Sequence, residues 1–291
     1  MKYVLQVVVI LLMLLGLGWA AGGDALPIWG ITGVLFCALV SLIIQIVVFI
    51  PSRIAQTERF FDLTGGLTYI TVVFVALGLA YVHDLVSVRR LVLACMVVIW
   101  AGRLSTFLFW RIHRAGKDGR FDDIKTHTLR FLIAWVLQAL WVFLTALPVF
   151  VMLTDAQVDP SMGLWEGVGW TLWGMGFFIE VVADQQKTAF NAKAENQGRW
   201  IDQGLWAYSQ HPNYFGEILL WTGICVSGFG VYSGSQWLSL LSPLFVFVLL
   251  TRISGIPLLR VRADAKWGED AEYRAYRNNT SVLVPWFRRS P

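Results

Sequence analysis

The sequence has few charged residues, and this shortage excludes the commonest class of protein. Only 14% of its 291 residues are charged, whereas 57% are hydrophobic, and the mean hydropathy is +0.62. Soluble globular chains carry about 25% charged residues. The composition therefore predicts an integral membrane protein. The formal net charge of +4 does not indicate a nucleic-acid partner, because the basic residues gather in loops between apolar spans, where anionic lipids and phosphate-bearing ligands are expected.

Metal-binding and nucleotide-binding patterns are missing as well. The cysteines Cys37, Cys95 and Cys225 stand singly within apolar spans, so we expect neither a disulfide nor a metal site. The four histidines contain no His-x-x-His pair, which argues against a histidine-rich di-iron oxygenase. The chain also lacks Gly-x-Gly-x-x-Gly and Gly-x-x-x-x-Gly-Lys-Ser/Thr, which excludes a soluble Rossmann or P-loop domain.

Apolar runs long enough to cross a bilayer recur along the chain. A transmembrane helix needs about 20 residues, and we predict such spans at approximately 3–20, 28–50, 64–82, 88–110, 130–153, 163–183, 214–231 and 236–256. The predicted fold is therefore all-α, a polytopic transmembrane helical bundle of about 7–8 spans. The first span has an alternative interpretation as a cleaved signal peptide, because Lys2 precedes an apolar run that ends in small residues.

Basic residues are divided unequally between alternate loops. One set of loops carries nearly all of the Lys and Arg residues, whereas the other set carries only Arg89 and Arg90. The positive-inside rule then predicts that both termini are cytoplasmic. We expect a multi-pass protein, of a bacterial inner membrane, with its informative loops on the cytoplasmic side.

Polar side chains inside the spans are costly in hydrocarbon, so each needs a reason. We interpret Gln45 and Gln138 as hydrogen-bonding glue between helices. Glu180 and Asp184 lie four residues apart at the end of the sixth span, and Lys187 follows one turn later. This group is either a helix end emerging into water or a pair of carboxylates that hold ribose hydroxyls or orient arginines.

The densest group of chemically useful residues is the stretch 203–217, between two apolar spans. Gly204 is a turn residue, and Pro212 fits the first position of a helix because the first amides there have no intrahelical partner. A helix is therefore predicted to start near His211. Asn213 and Glu217 then share one face of its first turns, beside amides that can receive an anion.

Several blocks together resemble a known membrane family. They are Arg59-Phe-Phe-Asp-Leu-Thr-Gly-Gly-Leu-Thr-Tyr69, Gly116-Lys-Asp-Gly-Arg-Phe-Asp122, Glu180-x-x-x-Asp184-x-x-Lys187, Gly204-Leu-Trp-Ala-Tyr-Ser-Gln-His-Pro-Asn-Tyr-Phe-Gly-Glu217 and Tyr273-x-x-Tyr276. This pattern resembles DUF1295, a family that belongs with the steroid 5-alpha-reductase C-terminal superfamily. The resemblance implies an N-terminal transmembrane hairpin at 1–50 and one continuous membrane domain at 51–291.

The resemblance implies an integral membrane oxidoreductase that uses NADPH to reduce a carbon–carbon double bond of a lipid or steroid-like enone from the bilayer. Cytoplasmic loops and the C-terminal tail would close the cofactor site. The nearby candidates for the catalytic acid are Asp62, Tyr69 and Trp100, of which Trp100 cannot donate a proton as a tyrosine could. No metal is implied. The implied cofactor-binding residues are Glu180, Asp184, Lys187, Arg199, Tyr208, His211, Asn213, Glu217 and Tyr276.

Two positions depart from the family pattern, and two other functions stay open. Gln210 stands where we expect an arginine, and Arg260 stands where we expect an acidic residue, which leaves the choice between NADPH and NADH open. The first alternative is a methyltransferase of the isoprenylcysteine type that binds S-adenosylmethionine. The second is a non-catalytic lipid-binding membrane protein, because a shared fold does not fix the reaction. The sequence does not indicate an oligomeric state.

Overall fold

The computed structural model describes residues 1–115 and 121–287, with the side chains of 111–115 excepted. Most of the Gly116–Asp122 block therefore lies outside the described residues. The regular structure is helical, apart from one short antiparallel pair of strands, β1 (Pro27–Ile28) and β2 (Ile31–Thr32). The helices are α1 (Lys2–Ala20), α2 (Gly33–Ile54), α3 (Phe61–Val82), α4 (Val88–Ala115), α5 (Thr128–Thr145), α6 (Leu147–Thr154), α7 (Leu164–Ala192), α8 (Pro212–Ser227), α9 (Leu241–Val248), α10 (Ile256–Trp267) and α11 (Ala271–Asn279).

The helical membrane fold predicted from composition is confirmed. Within the described ranges, six helical stretches are long and apolar enough to cross a membrane: Lys2–Ala20, Gly33–Ile54, Phe61–Val82, Val88–Trp110, Thr128–Thr145 and Gly234–Trp267. The protein is therefore a multi-pass membrane protein. The predicted spans 163–183 and 214–231 correspond to α7 and α8, which are not among the six. Helix α8 has only 16 residues, fewer than the roughly 20 that span a bilayer.

The chain divides into two compact units, Met1–Gly163 with Gly228–Ser242 and Leu164–Ser227 with Pro243–Pro291. In the first unit, α3 packs against α4, α2 packs against α5, and α1 contacts both α2 and α5. An aromatic core joins three of its segments, because Phe49 of α2 and Phe121 both pack on Phe131 of α5. The domain boundary predicted near residue 50 stays a prediction.

Hydrogen bonds link the polar residues within this first unit, as the sequence indicated. The Gln45 amide donates to the Thr68 hydroxyl at 2.8 Å, and the Gln138 amide donates to the Phe61 carbonyl at 3.1 Å. Both bonds join different helices, so the interpretation of the two glutamines as inter-helix glue is confirmed. Such bonds between buried helices contribute about 1 kcal/mol each.

The two arginines of the less basic loops are buried. Arg89 and Arg90 are 2% and 0% exposed, and Arg89 forms an ion pair with Asp159 at 3.0 Å. The Arg90 guanidinium donates to the carbonyls of Asp155 and Gln157. Buried charges persist only where partners compensate them, so this end of the first unit is held by a network that the sequence did not reveal.

In the second unit, α7 and α8 form an antiparallel hairpin joined by glycines. Gly176 lies against Gly216, and Gly169 lies against Gly223, so closely that an added Cβ would stand 2.5–2.6 Å from a backbone carbonyl oxygen or amide nitrogen of the facing helix. Small residues allow helix backbones to approach in this way. The seam fixes the spacing of the two helices at the end where the candidate site lies.

Candidate functional site

The turn that leads into α8 has the predicted local structure. Gly204 has φ of +62°, and an added Cβ there would stand 2.5 Å from the Gln186 side chain. Only glycine adopts this conformation readily. The Gln186 side chain accepts a hydrogen bond from the Leu205 amide, which ties the turn to α7. Helix α8 begins at Pro212, so the helix start predicted from the proline is confirmed.

The two carboxylates in the C-terminal half of α7 are buried rather than exposed to water. Glu180 and Asp184 are 3% and 8% exposed. The Asn213 amide donates to Asp184 Oδ1 at 3.2 Å, which joins α7 to the first turn of α8. A buried carboxylate requires such donors. The bond joins two of the predicted cofactor-binding residues, and the alternative of a helix end emerging into water does not hold for Glu180 and Asp184.

A cationic cavity of about 560 Å³ opens beside this hairpin, within the second unit. Its wall carries Lys or Arg side chains from α7, from the loop after α7, from α10 and from α11. No Asp or Glu belongs to this wall in the described part of the chain. Drug-sized and cofactor-sized ligands occupy cavities of about 300–1,000 Å³. The positive residues of the wall are Lys187, Arg199, Arg260, Arg262, Lys266 and Arg277.

These cations differ in whether other groups of the protein interact with them. Arg277 forms an ion pair with Asp264, and Lys266 lies over the Trp267 ring at 4.6 Å. No described carboxylate forms an ion pair with Arg199, Arg260 or Arg262. Planar guanidinium groups bind phosphate and carboxylate in a bidentate manner. The cavity therefore offers anion-binding groups with which no carboxylate in the described part of the chain is paired.

His211 contributes a neutral imidazole to this wall. Its ring stacks on Tyr214 at 5.5 Å between ring centroids, and its backbone amide donates to the Ser209 hydroxyl at 3.1 Å. Burial, followed by the positive charges of Lys187 and Arg260, lowers the pKa of His211 from 6.5 to about 4. Desolvation and like charges both disfavour the imidazolium form. At neutral pH the ring therefore carries no charge.

Aromatic rings form another part of the wall. Trp200 contacts both Trp267 and Tyr273, with ring centroids 6.1 and 5.2 Å apart, and all three line the cavity. The Trp200 indole N–H is enclosed, and it has no hydrogen-bond partner in residues 1–115 and 121–287. A buried donor left without a partner costs about 1–3 kcal/mol.

The C-terminal segment runs beside the turn that precedes α8. The Gln210 amide nitrogen Nε2 donates to the carbonyls of Arg277 and Thr280 at 2.9 and 2.8 Å. The Ser209 hydroxyl donates to the Leu283 carbonyl at 2.7 Å. Because Gln210 and Arg277 both line the cavity, these bonds hold α11 as one of its walls.

The structure distributes the predicted cofactor-binding residues over two neighbouring groups. One group lines the cavity: Lys187, Arg199, His211 and Tyr276. The other lies on the α7–α8 hairpin, where Glu180, Asp184, Asn213 and Glu217 are found. Tyr208 lies outside the cavity wall and is 46% exposed, with its ring against Phe287.

The predicted catalytic residues belong to the first unit. Asp62 and Tyr69 lie on α3, and Tyr69 is 5% exposed with its ring edge against Trp100 at 5.2 Å. The assignment of a proton donor among these residues stays a prediction.

Several residues of the cavity wall were not predicted from the sequence. Arg260 was noted only as a departure from the family pattern, and Arg262 and Lys266 were not considered. The sequence does contain a helical pattern among the cavity residues, because residues four apart lie on the same face of a helix. Arg262 with Lys266, and Tyr273 with Arg277, have this spacing on α10 and α11. Without knowing which face meets the cavity, however, the spacing does not identify a site.

Comparisons with known proteins agree with the family resemblance. The chain is 23% identical over 202 residues to an uncharacterized protein of Schizosaccharomyces pombe. This alignment covers 60% of this chain and 57% of that relative. The chain thus spans little more than half the length of this relative. No solved structure matches the chain. The model of the family described as "Protein of unknown function (DUF1295)" matches residues 48–280, and the chain therefore belongs to the DUF1295 family.

Proposed function

We propose that the protein is a membrane reductase that binds NADPH in the cationic cavity and reduces a carbon–carbon double bond of a lipid or steroid-like enone. The observation that carries this proposal is the wall of six basic residues with no acidic one among the described residues. The family resemblance to steroid 5-alpha reductases supplies the reaction class. The proposal that the protein is an enzyme rests on the basic wall and the family resemblance together.

The charge of the wall separates the two candidate cofactors. NADPH carries a pyrophosphate and a 2′-phosphate, all negative, whereas the sulfonium and ammonium groups of S-adenosylmethionine make that molecule a net cation. A cleft lined by one sign of charge concentrates ligands of the opposite sign. The cavity therefore favours the dinucleotide, and Arg260 replaces in this wall the positive charge that Gln210 does not provide.

The residues of the cavity suit the parts of such a cofactor. Arg199 and Arg262 would hold phosphate oxygens through charge-assisted hydrogen bonds. The rings of Trp200 and Trp267 offer flat apolar surfaces for a base. When bound, NADPH supplies the hydride, and the protein supplies binding, orientation and electrostatics.

The remaining steps fall to the chain's own residues. The Asp184–Asn213 pair would position polar groups of the ligand beside the cavity. Asp62 and Tyr69 are the proposed sources of the proton that completes the reduction, since a carboxyl or phenol group can donate one. The substrate would enter from the bilayer, where an apolar enone partitions. We propose a cytoplasmic position for the cavity, because the positive-inside rule predicts that the basic loops are cytoplasmic.

Calorimetry on the detergent-purified full chain tests the proposal with NADPH, NADH and S-adenosylmethionine in parallel. We expect NADPH to bind and its affinity to fall with rising salt, because the cavity charges are exposed to solvent. Arg262→Gln is expected to weaken binding by about 1.5–3 kcal/mol, the contribution of a hydrogen bond to a charged group.

Arg274→Gln is the matched control, because Arg274 is exposed on α11 and is not part of the cavity wall. Its affinity for NADPH should equal that of the wild type. Binding of S-adenosylmethionine without either dinucleotide would favour the methyltransferase. Binding of no nucleotide would favour a non-catalytic lipid-binding protein.

A further inference from the structure

The cavity wall around His211 collects positive charge from two helices. Lys187 of α7 lines the wall with its ammonium group 4.7 Å from the Trp206 ring centroid, and Arg260 of α10 lines the same wall. Both charges act on the imidazole strongly enough to help lower its pKa. Three nitrogen-bearing groups, from α7, from α10 and from the residue before α8, therefore line the same cavity.

Other titratable groups lie on the helices around this part of the wall. On α7, Asp184 accepts a hydrogen bond from Asn213. On α11, the Tyr276 hydroxyl donates to the Trp206 carbonyl at 2.9 Å. Arg277 of α11 adds a further cation to the wall, although Asp264 pairs with it. Because Lys187 and Arg260 both disfavour the imidazolium form, a further positive charge at His211 is unfavourable until an anion arrives.

We propose that Lys187, Arg260 and His211 form the subsite for a phosphate group of the ligand, and that the phosphate group is bound together with a proton taken up by His211. The inference builds on the proposed function, because it concerns the same cavity. An anion placed among these groups reverses the sign of the field at the imidazole and favours its charged form. The protonated ring then becomes a third cationic donor to the phosphate oxygens.

The sign of the pH dependence follows from the two states of His211. Without ligand the ring is neutral at any pH well above about 4. With ligand its pKa is higher, so binding takes up protons between the two values, and affinity rises as pH falls through the higher one. If the phosphate restores the ordinary pKa of about 6.5, binding at pH 6 takes up about three-quarters of a proton, and affinity rises about tenfold between pH 7.5 and 5.5.

The test is calorimetry of the full chain at pH 6 in two buffers with different ionisation enthalpies, using NADPH, NADH and inorganic pyrophosphate. Phosphate esters themselves titrate near pH 6, so the readout is the difference in proton uptake between the wild type and His211→Gln. We expect the wild type to take up more protons than this variant with at least one phosphate-bearing probe. Equal uptake with every probe that binds, or no binding of any probe, would overturn the proposal.

Arg260→Gln provides a second variant that keeps the imidazole. Arg260 is exposed, so its replacement should not disturb folding. Removing this cation is expected to raise the pKa of His211 in the free protein and to weaken the binding of phosphate-bearing probes. An unchanged affinity for every probe would exclude Arg260 from the subsite.

The outcomes separate this inference from the proposed function. If NADPH binds but its binding shows no proton uptake that depends on His211, the reductase proposal stands and the proposed phosphate subsite is wrong. If pyrophosphate binds with such uptake while neither dinucleotide binds, the subsite stands and the cofactor is a different phosphate compound.

Discussion

Substitution of Gly216 by alanine tests whether the glycine seam of α7 and α8 sets the geometry of the site. An added Cβ would stand 2.6 Å from the Gly176 carbonyl oxygen and 2.7 Å from the Glu180 amide nitrogen. These are backbone atoms of a regular helix, so they cannot move by a side-chain rotation. Reaching an ordinary contact of 3.4 Å requires the two helices to separate by about 0.8 Å at this point.

This separation has two expected effects. Overpacking in a close-packed region typically costs about 1–3 kcal/mol of unfolding free energy. The Asn213–Asp184 hydrogen bond is already 3.2 Å long, and a further 0.8 Å along the same direction would break it. We therefore expect Gly216→Ala to lower both stability in detergent and affinity for NADPH.

The matched control is Gly174→Ala on α7, where nothing lies within 4 Å of the added Cβ. Alanine is favoured over glycine in a helix by about 1 kcal/mol, so this variant should be as stable as the wild type or more so. The measurement is denaturant titration of the purified proteins, followed by NADPH calorimetry. If Gly216→Ala proves as stable as Gly174→Ala, the seam is not close-packed and the reasoning fails.

Two further predictions concern topology and the C-terminal segment. Reporters fused after Asp159 should report the outside and those fused at the C-terminus the inside, because the positive-inside rule predicts that the basic loops are cytoplasmic; a cytoplasmic signal after Asp159 would contradict the predicted orientation. Gln210→Arg restores the residue expected for the family but removes the amide that donates to Arg277 and Thr280, at about 1 kcal/mol for each bond. Amide hydrogen exchange over 281–287 should then accelerate, while exposed Gln185→Arg leaves it unchanged; equal exchange in both variants would show that other contacts hold the segment.

The sequence determined the features that depend on local chemistry. A chain that is 57% hydrophobic and 14% charged must place most of its helices in lipid, because only there can it satisfy both its backbone and its apolar side chains. The turn at Gly204 and the helix start at Pro212 follow from the backbone limits of these two residue types. Family membership could also be predicted from the sequence, because the motifs of the family are short and contiguous.

The tertiary structure alone decided which distant residues meet. Arg260 and Gln210 depart separately from the family pattern in the sequence, yet both line one cavity. The positive charge that Gln210 lacks is therefore supplied by Arg260. The burial of Arg89 and Arg90 depends on carbonyls and a carboxylate more than 60 residues away. Charge and burial are sums over neighbours in space, and the neighbours become known only when the helices are packed.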